Sequence, residues 1–304
     1  MRIRLAIAIA ALAAFGLTVS GSARPQEKAR LLSAYGWNEA LEGFGGISAL
    51  ELDADGKNFI AVTDRTLLLQ GQLQRENGTV TGVTLTGSNF LLKPDGTRLT
   101  GWRRDSEGLA LRSDGRLFVS FEAGAKVWAY SDPQGPATRL PGHPDFKDMP
   151  GNAALEALAI DDRGHLYAVP EAPLTRAGGL PLYRYDGTEW QIVQRITPSE
   201  RFAPVGADFG PDGKFYLLER NFGGIGFRSR VRRFDLADFA PKGEVLFTSS
   251  LGQHDNLEGL SVWRDGAGYI RLTMVSDDNF KFFQRTEIVE YALAETLAKA
   301  SLSH

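Results

Sequence analysis

A short phrase recurs along this 304-residue chain and limits the folds that are open to it. It is DSEGLALRSDGRLFVSFE at Asp105–Glu122, NAALEALAIDDRGHLYAVPE at Asn152–Glu171 and DNLEGLSVWRDGAGYIRLTMVSDD at Asp255–Asp278. Each copy has two short apolar runs around a turn that contains Asp and Gly, a pattern typical of a β-hairpin. A hairpin that is repeated along one chain predicts a repeated structural unit.

The spacing of the hairpins predicts a β-propeller. The turn glycines stand 59, 49, 49 and 53 residues apart and are Gly56, Gly115, Gly164, Gly213 and Gly266. An all-strand repeat of about 50 residues is typical of one propeller blade of four strands. Helical periodicity is scarce before the final segment YALAETLAKASL, which argues against an α/β fold with helices between parallel strands.

The length of chain outside the five hairpins favours five blades over six. From Gly266 to the C-terminus, and from Arg24 to Gly56, there are about 70 residues in total. A complete further blade would need about 100 residues at this period. The strand-like segments ARLLSAYGW and TEIVEYAL, from opposite ends of the chain, are therefore predicted to share the last blade. This closure of the ring removes exposed sheet edges.

The N-terminal 23 residues predict a secretory signal peptide. Two arginines precede a short apolar run, and Gly21 and Ala23 place small residues at a cleavage site. The run is too short for a membrane span, although a retained anchor is the alternative. The remaining residues, 24–304, are expected to form a single propeller domain. A chain without cysteine suits a bacterial periplasmic or secreted location without disulfides.

The charge of the chain limits its partners. Without the two arginines of the leader, 37 acidic and 32 basic residues remain, a net charge of −5. This balance gives no reason to expect nucleic acid or an anionic membrane surface as a partner. The expected partner is a small molecule, anionic if basic residues line the site, and the protein is expected to be a monomer.

Hairpin geometry predicts that the acidic residues of the repeat converge. The first strand of a hairpin begins where its second strand ends, so both ends lie at one mouth of the propeller channel. The first strands begin, in chain order, with Ser48, Glu107, Glu156, Val205 and Glu258. The second strands end, in chain order, with Asp64, Glu122, Glu171, Glu219 and the pair Asp277/Asp278. Up to nine carboxylates are thus expected around one mouth.

Converging carboxylates repel one another and need a positive charge nearby. Ca²⁺ prefers carboxylate and carbonyl oxygens, which loops at a channel mouth supply. The predicted ligands of a divalent cation, Ca²⁺ being the candidate, are Asp64, Glu122, Glu156, Glu219, Asp277 and Asp278. The structural alternative is that these acids cap strand ends, accept hydrogen bonds from loops or face water.

Other polar residues of the same loops are candidates for catalysis and for binding. Glu107, Glu258 and His254, four residues before Glu258, are candidates for general acid or base catalysis. The residues predicted to bind an anionic substrate are Arg65, Arg104, Arg220, Asn221 and Asn279. The two asparagines belong to the matching segments ERNF and DDNF, and turn capping is the alternative role for them.

The ordered phrases resemble the phytase-like family, described as having the "esterase-like activity of phytase". The resemblance extends from about Gly45 to Glu290 and rests on GGISALELDADGKNFIAVTDR, DSEGLALRSDGRLFVSFE, ALEALAIDDRGHLYAVPE, YLLERNF and DNLEGLSVW…VSDDNF. It implies an exported bacterial β-propeller that hydrolyses phosphoric or carboxylic esters. By position, it implies the site residues Asp64, Glu107, Glu122, Glu156, Glu219, Glu258, Asp277 and Asp278. The chain departs from the family pattern at Ala157, where glycine is usual, and in the segment YAVPE.

Motifs of other hydrolases are absent from the sequence. It has no G-x-S-x-G, R-H-G or H-E-x-x-H, which argues against a serine esterase, a histidine acid phytase and a zincin. A metal-assisted ester hydrolase is therefore one hypothesis. The other is a non-catalytic propeller that binds a small molecule, a sugar or a partner protein, with any metal structural, because a fold does not determine a function.

Overall fold

The computed structural model describes residues 28–150, 154–172, 179–237 and 242–293. These residues form twenty strands in five four-stranded antiparallel sheets. The first strands of the sheets contact one another in a closed ring, so the molecule is a five-bladed β-propeller. The predicted class, the four-stranded blades and the number of blades are confirmed. The predicted signal peptide lies outside the described residues.

The strands follow one another from the inside to the outside of each blade. The first strand of the described residues, β1 (Ala29–Gly36), belongs to the last blade. Blade 1 consists of β2 (Ile47–Leu52), β3 (Asn58–Thr63), β4 (Leu67–Glu76) and β5 (Thr79–Phe90). Blade 2 consists of β6 (Ser106–Leu111), β7 (Leu117–Phe121), β8 (Lys126–Tyr130) and β9 (Thr138–Arg139). Blade 3 consists of β10 (Leu155–Ile160), β11 (Leu166–Pro170), β12 (Leu180–Tyr185) and β13 (Trp190–Ile196).

The last two blades continue this order. Blade 4 consists of β14 (Ala203–Phe209), β15 (Phe215–Phe222), β16 (Phe227–Phe234) and β17 (Glu244–Thr248). Blade 5 consists of β18 (Asn256–Arg264), β19 (Ile270–Asp277), β20 (Glu287–Leu293) and β1. Two short 3₁₀ helices lie in the connections, at Gly101–Arg104 and Pro144–Asp148. No helix of the described chain is long and apolar enough to cross a membrane.

Strand β1 closes the ring as predicted. It pairs antiparallel with β20, with Ala29 opposite Leu293 and Gly36 opposite Glu287. The N-terminal strand therefore covers the outer edge that β20 would otherwise expose. Because an unpaired edge strand can pair with another chain, this pairing protects blade 5 from aggregation.

The core lies between the blades. Five clusters of buried apolar side chains fill the five interfaces of adjacent blades. Each blade is covered on both faces by the neighbouring blades, so all six residues of its innermost strand are buried in the case of β2. Between blades 5 and 1, for example, Trp37 packs its edge on Phe59 at 5.4 Å between ring centroids, within the same cluster as Trp263.

The hairpin turns contain the predicted glycines in four blades, and blade 5 differs. There the glycine with a positive φ is Gly268 (88°), and its N–H donates to the carbonyl of Asp265. The N–H of Gly56 donates to the carbonyl of Asp53 in the same way. Gly266, the predicted turn glycine, lies in the same turn, but the left-handed position falls two residues later, at Gly268. Glycine is favoured at such a position because it has no Cβ.

Candidate functional site

Each innermost strand has a β-bulge near its first residue. The register shifts at Ser48, at Glu107 with Gly108, and at Glu156, Val205 and Glu258. A bulge leaves one residue unpaired and redirects its side chain. The bulges fall at the five positions that the sequence predicts as the starts of the first strands, including Glu258 in the longer strand of blade 5. They therefore bring three glutamates of three different blades together at one end of the channel.

A second set of side chains surrounds the same mouth at the ends of the second strands. The residue before each bulge pairs with a residue of the second strand. In blades 1, 2, 3 and 5 the next residue of that second strand is Asp64, Glu122, Glu171 and Asp277. In blade 4, Pro204 pairs with Glu219, so that Arg220 occupies the corresponding position. The prediction had placed Glu219 there, one residue too early.

Glu219 therefore lies away from the mouth, in contrast to its prediction as a metal ligand. Consecutive side chains of a strand point to opposite faces, so an error of one residue moves a side chain to the other face. Glu219 is fully buried and accepts two hydrogen bonds from Arg232, at 2.7 Å from Nε and 2.5 Å from Nη2. It is part of the interior of blade 4.

Arg220 lies among the carboxylates of three blades. Its guanidinium donates to Glu258, to the amide oxygen of Asn256 at 2.8 Å and to Glu171 at 3.3 Å. Burial opposes its charge, yet the surrounding glutamates raise the pKa of Arg220 above its ordinary value. The residue was predicted to bind substrate, and the structure shows it paired with the protein's own acids. It offsets part of their mutual repulsion.

Three carboxylates of blade 2 form the group with the best geometry for a metal ion. One oxygen each of Asp105, Glu107 and Glu122 lie within 4.8 Å of one another. The sequence predicts Glu122 as a ligand and Glu107 as a catalytic residue, but it does not single out Asp105. The signal was present in the phrase DSEG, where Asp105 directly precedes β6. Asp255 precedes β18 in a similar way, but its carboxylate accepts from the backbone N–H of Asn256 and of Arg285 instead.

The mouth destabilises the ionised form of its carboxylates. Burial, followed by the charges of Glu156 and Glu258, raises the pKa of Glu107 well above its usual range. Burial and then Asp105 raise the pKa of Glu122 to about 8. Burial and then Glu258 raise the pKa of Asp277 to about 8. These carboxylates are in excess over the nearby cations, and a bound divalent cation would favour their ionised forms.

Glu156 and Glu258 complete the cluster near the channel axis. Burial, followed by the charges of Glu171 and Glu258, raises the pKa of Glu156 well above its usual range. Burial raises the pKa of Glu258 as well, although Arg220 and the amide of Asn256 oppose the rise. The amide nitrogen of Asn256 donates to Glu258 at 2.8 Å.

The predicted ligands Asp64 and Asp278 differ in how their oxygens are used. Asp278 accepts from the N–H groups of Gly46 at 2.9 Å and Phe280 at 3.0 Å, so it caps the contact between blades 5 and 1. In contrast, Oδ1 of Asp64 is buried and has no hydrogen-bond partner within the described structure. Burial and then Asp277 raise the pKa of Asp64 to about 7. Asp64 therefore has an oxygen available to a cation.

The remaining predicted binding residues lie around this mouth. The guanidinium of Arg65 stacks on Phe280, 3.3 Å from the ring centroid, and the charges of Arg65 and Arg104 act on Asp64. The amide of Asn221 donates to the carbonyl of Arg201 at 2.8 Å, and the N–H of Asn279 donates to Asp277 at 2.6 Å. The side chain of Asn221 thus has a local structural partner, and Asn279 is held through its backbone.

His254 is buried at the edge of the mouth rather than among its carboxylates. It is 3% exposed, its Nε2 lies 2.8 Å from the hydroxyl of Tyr291, and its Nδ1 has no partner in the described structure. Burial and then the charge of Arg285 lower its pKa to about 4. The imidazole is therefore neutral near pH 7. It lines a cavity of about 970 Å³ that opens beside Glu171 and Arg220.

Solved structures with similar topology share little sequence with this chain. The PQQ-bound aldose sugar dehydrogenase of Streptomyces coelicolor is 13% identical, with a TM-score of 0.45, over 88% of this chain and 100% of the other. A gluconolactonase of Xanthomonas campestris is 14% identical, with a TM-score of 0.46, over 81% of this chain and 71% of the other. A Dyadobacter fermentans protein of unknown function is 10% identical, with a TM-score of 0.48, over 88% and 99%.

The match to a protein family is more informative than these structural similarities. No curated protein matches the sequence. The family model described as "Phytase-like: Esterase-like activity of phytase" matches residues 42–280. The match spans blades 1 to 4 and the two inner strands of blade 5, including both sets of carboxylates at the mouth. The chain therefore belongs to the phytase-like family.

Proposed function

We propose that the protein is a hydrolase of phosphoric or carboxylic esters that acts at the acidic mouth with the help of a divalent cation, Ca²⁺. The observation that carries this proposal is the group formed by Asp105, Glu107 and Glu122, whose oxygens lie within 4.8 Å of one another. Membership of the phytase-like family supports ester hydrolysis as the reaction class.

The donor set suits Ca²⁺ in both chemistry and spacing. Ca²⁺ binds oxygen ligands at about 2.3–2.6 Å, so two ligands of one ion lie at most about 5 Å apart. The three carboxylates of blade 2 satisfy this limit without rearrangement. Oδ1 of Asp64, which accepts no hydrogen bond and lies 4.0 Å from Nε of Arg65, belongs to the same mouth. This assignment makes Glu107 a ligand rather than the acid or base that the sequence suggested.

Different side chains of the mouth would have different roles in hydrolysis. A bound Ca²⁺ would polarise the ester and stabilise the negative charge that develops on its oxygen. Arg65 and Arg104 would orient a negatively charged ester from the rim. The raised pKa of Glu156 favours its protonated form, which is the form that would donate a proton to the leaving oxygen. Glu258, held by Arg220 and Asn256, would accept a proton from the attacking water.

Turnover in the presence and absence of Ca²⁺ tests this proposal. The purified protein is incubated with a panel of phosphomonoesters and carboxylic esters, first with Ca²⁺ and then with a chelator. We expect hydrolysis of at least one ester class that the chelator abolishes and added Ca²⁺ restores. If no ester is hydrolysed in a metal-dependent manner, the proposal is wrong.

A second candidate function is ligand binding without catalysis, with a structural metal. It is favoured by the inter-blade contacts of the mouth, because Asp278 caps Gly46 and Arg220 joins Glu258 to Glu171. In this case the chelator lowers the melting temperature while ligands bind without turnover. The enzyme hypothesis instead requires metal-dependent turnover of at least one ester in the same assay.

We further propose that the protein is exported to the periplasm or the medium and acts as a monomer. The leader sequence and the cysteine-free composition support export. Mass spectrometry of the exported protein, together with its mass in solution, tests both points. A mature protein that starts at Arg24 and has the mass of one chain is the expected result.

A further inference from the structure

The cavity beside the acidic mouth is large enough to hold part of a substrate. It measures about 970 Å³ and lies between the mouth-side connections of blades 4 and 5. We call it the blade 4–5 pocket, defined by Arg201, Phe222, Ile225, Phe227, Lys281 and Phe283. Glu171 and Arg220 also line it, so it opens directly onto the carboxylates of the mouth. Small-molecule sites have volumes of about 300–1,000 Å³.

The walls of this pocket expose apolar side chains that a protein normally buries. Phe222 is 61% exposed, Ile225 is 90% exposed and Phe283 is 68% exposed. Within the described chain, three of the seven large apolar residues that are exposed line this pocket, namely Phe222, Ile225 and Phe283. Such a concentration marks a binding surface.

The same pocket contains positive charges that the protein does not neutralise. Arg201 and Lys281 form no ion pair within the described residues, whereas Arg220 is paired with two glutamates. The pocket therefore combines apolar walls with two available cations, and it borders a site rich in carboxylates. A ligand that matches this surface has an aromatic or acyl group together with a negative charge.

We infer that the blade 4–5 pocket is a subsite for the apolar group of an anionic ester, so that the preferred substrates have an aromatic or acyl group beside the negative charge. This inference rests on the proposed function, since it identifies the substrate class of the same site. A phosphorylated polyol would fit less well, because its hydroxyl groups would lose hydrogen bonds to water against the phenyl rings.

Binding of a fluorescent anion tests the pocket independently of catalysis. The probe is 1-anilinonaphthalene-8-sulfonate, which has aromatic rings and one negative charge, titrated into the folded full-length protein in chelator. We expect Phe283→Ala and Lys281→Glu each to weaken binding at least fivefold. The matched control is Phe282→Ala, because Phe282 is the adjacent residue, is fully exposed and does not line the pocket. It should change the dissociation constant less than twofold.

Turnover of two phosphomonoesters that differ only in the group esterified tests the substrate class. We expect kcat/KM for 2-naphthyl phosphate to exceed that for glycerol 2-phosphate at least tenfold, and Phe283→Ala to reduce this ratio at least fivefold. Phe282→Ala should leave the ratio unchanged. If no ester of the wider panel is hydrolysed while the probe results hold, the hydrolase proposal fails and the subsite for an apolar anion stands.

Three outcomes would overturn the inference. The first is equal loss of probe binding in Phe282→Ala and Phe283→Ala, which would indicate a general contact surface. The second is binding of the protein to vesicles of anionic phospholipid that requires Phe282 and that the fluorescent probe does not inhibit. The third is a concentration-dependent dimer that Phe282→Ala and Ile225→Ser both dissociate, which would assign the exposed residues to a second copy of the chain.

Discussion

Two consecutive residues of blade 4 show how sharply position determines the role of a charge. Glu219 and Arg220 are neighbours on β15 and point to opposite faces of the strand. Glu219 pairs with Arg232 in the interior, and Arg220 pairs with Glu258 and Glu171 at the mouth. A charge in the interior needs its partner for stability, whereas a charge at the mouth affects the chemistry of its neighbours.

The ion pair of Glu219 and Arg232 gives a stability prediction. Arg232→Met leaves the buried carboxylate unpaired and should lower the free energy of unfolding by about 3–5 kcal/mol. Denaturant titration measures the loss. The double variant Glu219→Leu/Arg232→Met should recover most of it, since both charges are removed, and should keep the Ca²⁺ affinity of the wild type. Weakened Ca²⁺ binding by the double variant would contradict this prediction and would indicate that Glu219 is a metal ligand.

The carboxylates of blade 2 give a binding prediction. Glu107→Gln removes one anionic ligand from the group with Asp105 and Glu122, and should weaken Ca²⁺ binding at least tenfold in calorimetric titration. The control is Glu76→Gln, in the exposed hairpin between β4 and β5, which should leave the affinity unchanged. Equal affinity of wild type and Glu107→Gln would exclude this group as the metal site.

At the scale of the elements, the bulged inner strands lie unusually close to one another around the axis. A Cβ on Gly206 would stand 2.2 Å from the carbonyl oxygen of Glu258, and one on Gly259 would stand 2.8 Å from the backbone nitrogen of Leu50. Small residues at these positions let the strands approach, and the bulges then direct Glu107, Glu156 and Glu258 into the remaining space. The strand geometry is therefore part of the site.

Gly206 tests how closely the inner strands pack. Gly206→Ala should lower the free energy of unfolding by about 1–3 kcal/mol, because the obstructing atom belongs to the backbone and cannot rotate away. The control, Gly36→Ala, has no neighbour within 4 Å of the added Cβ and should be neutral or slightly stabilising. Thermal unfolding measures the stability of both variants. An equal loss of stability in Gly206→Ala and Gly36→Ala would contradict the prediction.

The opposite end of the channel gives a pH prediction. Glu51 on β2 and Asp208 on β14 are both 7% exposed. Burial and then Asp208 raise the pKa of Glu51, and burial raises the pKa of Asp208 to about 7 despite hydrogen bonds from Val262 and Phe209. The folded protein thus binds more protons than the unfolded chain between about pH 4 and pH 7. The stability contributed by the pair is present at low pH and is lost as the pH rises through this range.

Comparison with Glu51→Gln isolates this effect. The wild type should lose stability relative to the variant as the pH rises from 4 to 7, by about 1.4 kcal/mol per pH unit for each proton by which the two states differ. Chemical denaturation at several pH values measures the difference. A difference that is constant over this range would show that the folded-state pKa values are not raised.

For the whole molecule, closure of the ring is the property on which the rest depends. Strand β1 comes from the N-terminal end of the described chain and β20 from the C-terminal end, so blade 5 joins distant parts of the sequence. The closed ring, in which the innermost strands of blades 5 and 1 are also in contact, brings the acids of blades 1, 2, 3 and 5 and Arg220 of blade 4 to one mouth.

Removal of β1 tests the closure. A chain that begins at Trp37 should expose the edge of β20 and aggregate at concentrations at which the longer chain stays dispersed, as measured by light scattering. A peptide with the sequence of residues 28–36 should suppress the aggregation by adding back the missing strand, and a scrambled peptide should not. An unaggregated, equally stable truncated chain would show that β1 is dispensable.

The fold was predictable from the sequence because its signals are local. Strand alternation, turn residues and their period near 50 residues each depend on a few neighbouring positions. They predicted five hairpins, five blades and the closing pair ARLLSAYGW and TEIVEYAL. They also placed Glu107, Glu156 and Glu258 at one mouth, because a bulge at the same point in each first strand preserves their position.

The site was less predictable because it depends on pairing between distant segments. The register of β14 and β15 decides that Arg220, not Glu219, faces the mouth. The prediction, counted from the turn glycine along the second strand, is therefore one residue too early. His254 packs against Tyr291, on a distant strand, only through a contact across the tertiary structure. The blade 4–5 pocket arises where connections of two blades meet. The sequence by itself thus determined the repeated unit, while the tertiary structure decided which charges share a space, because strand register and loop contacts are set by packing.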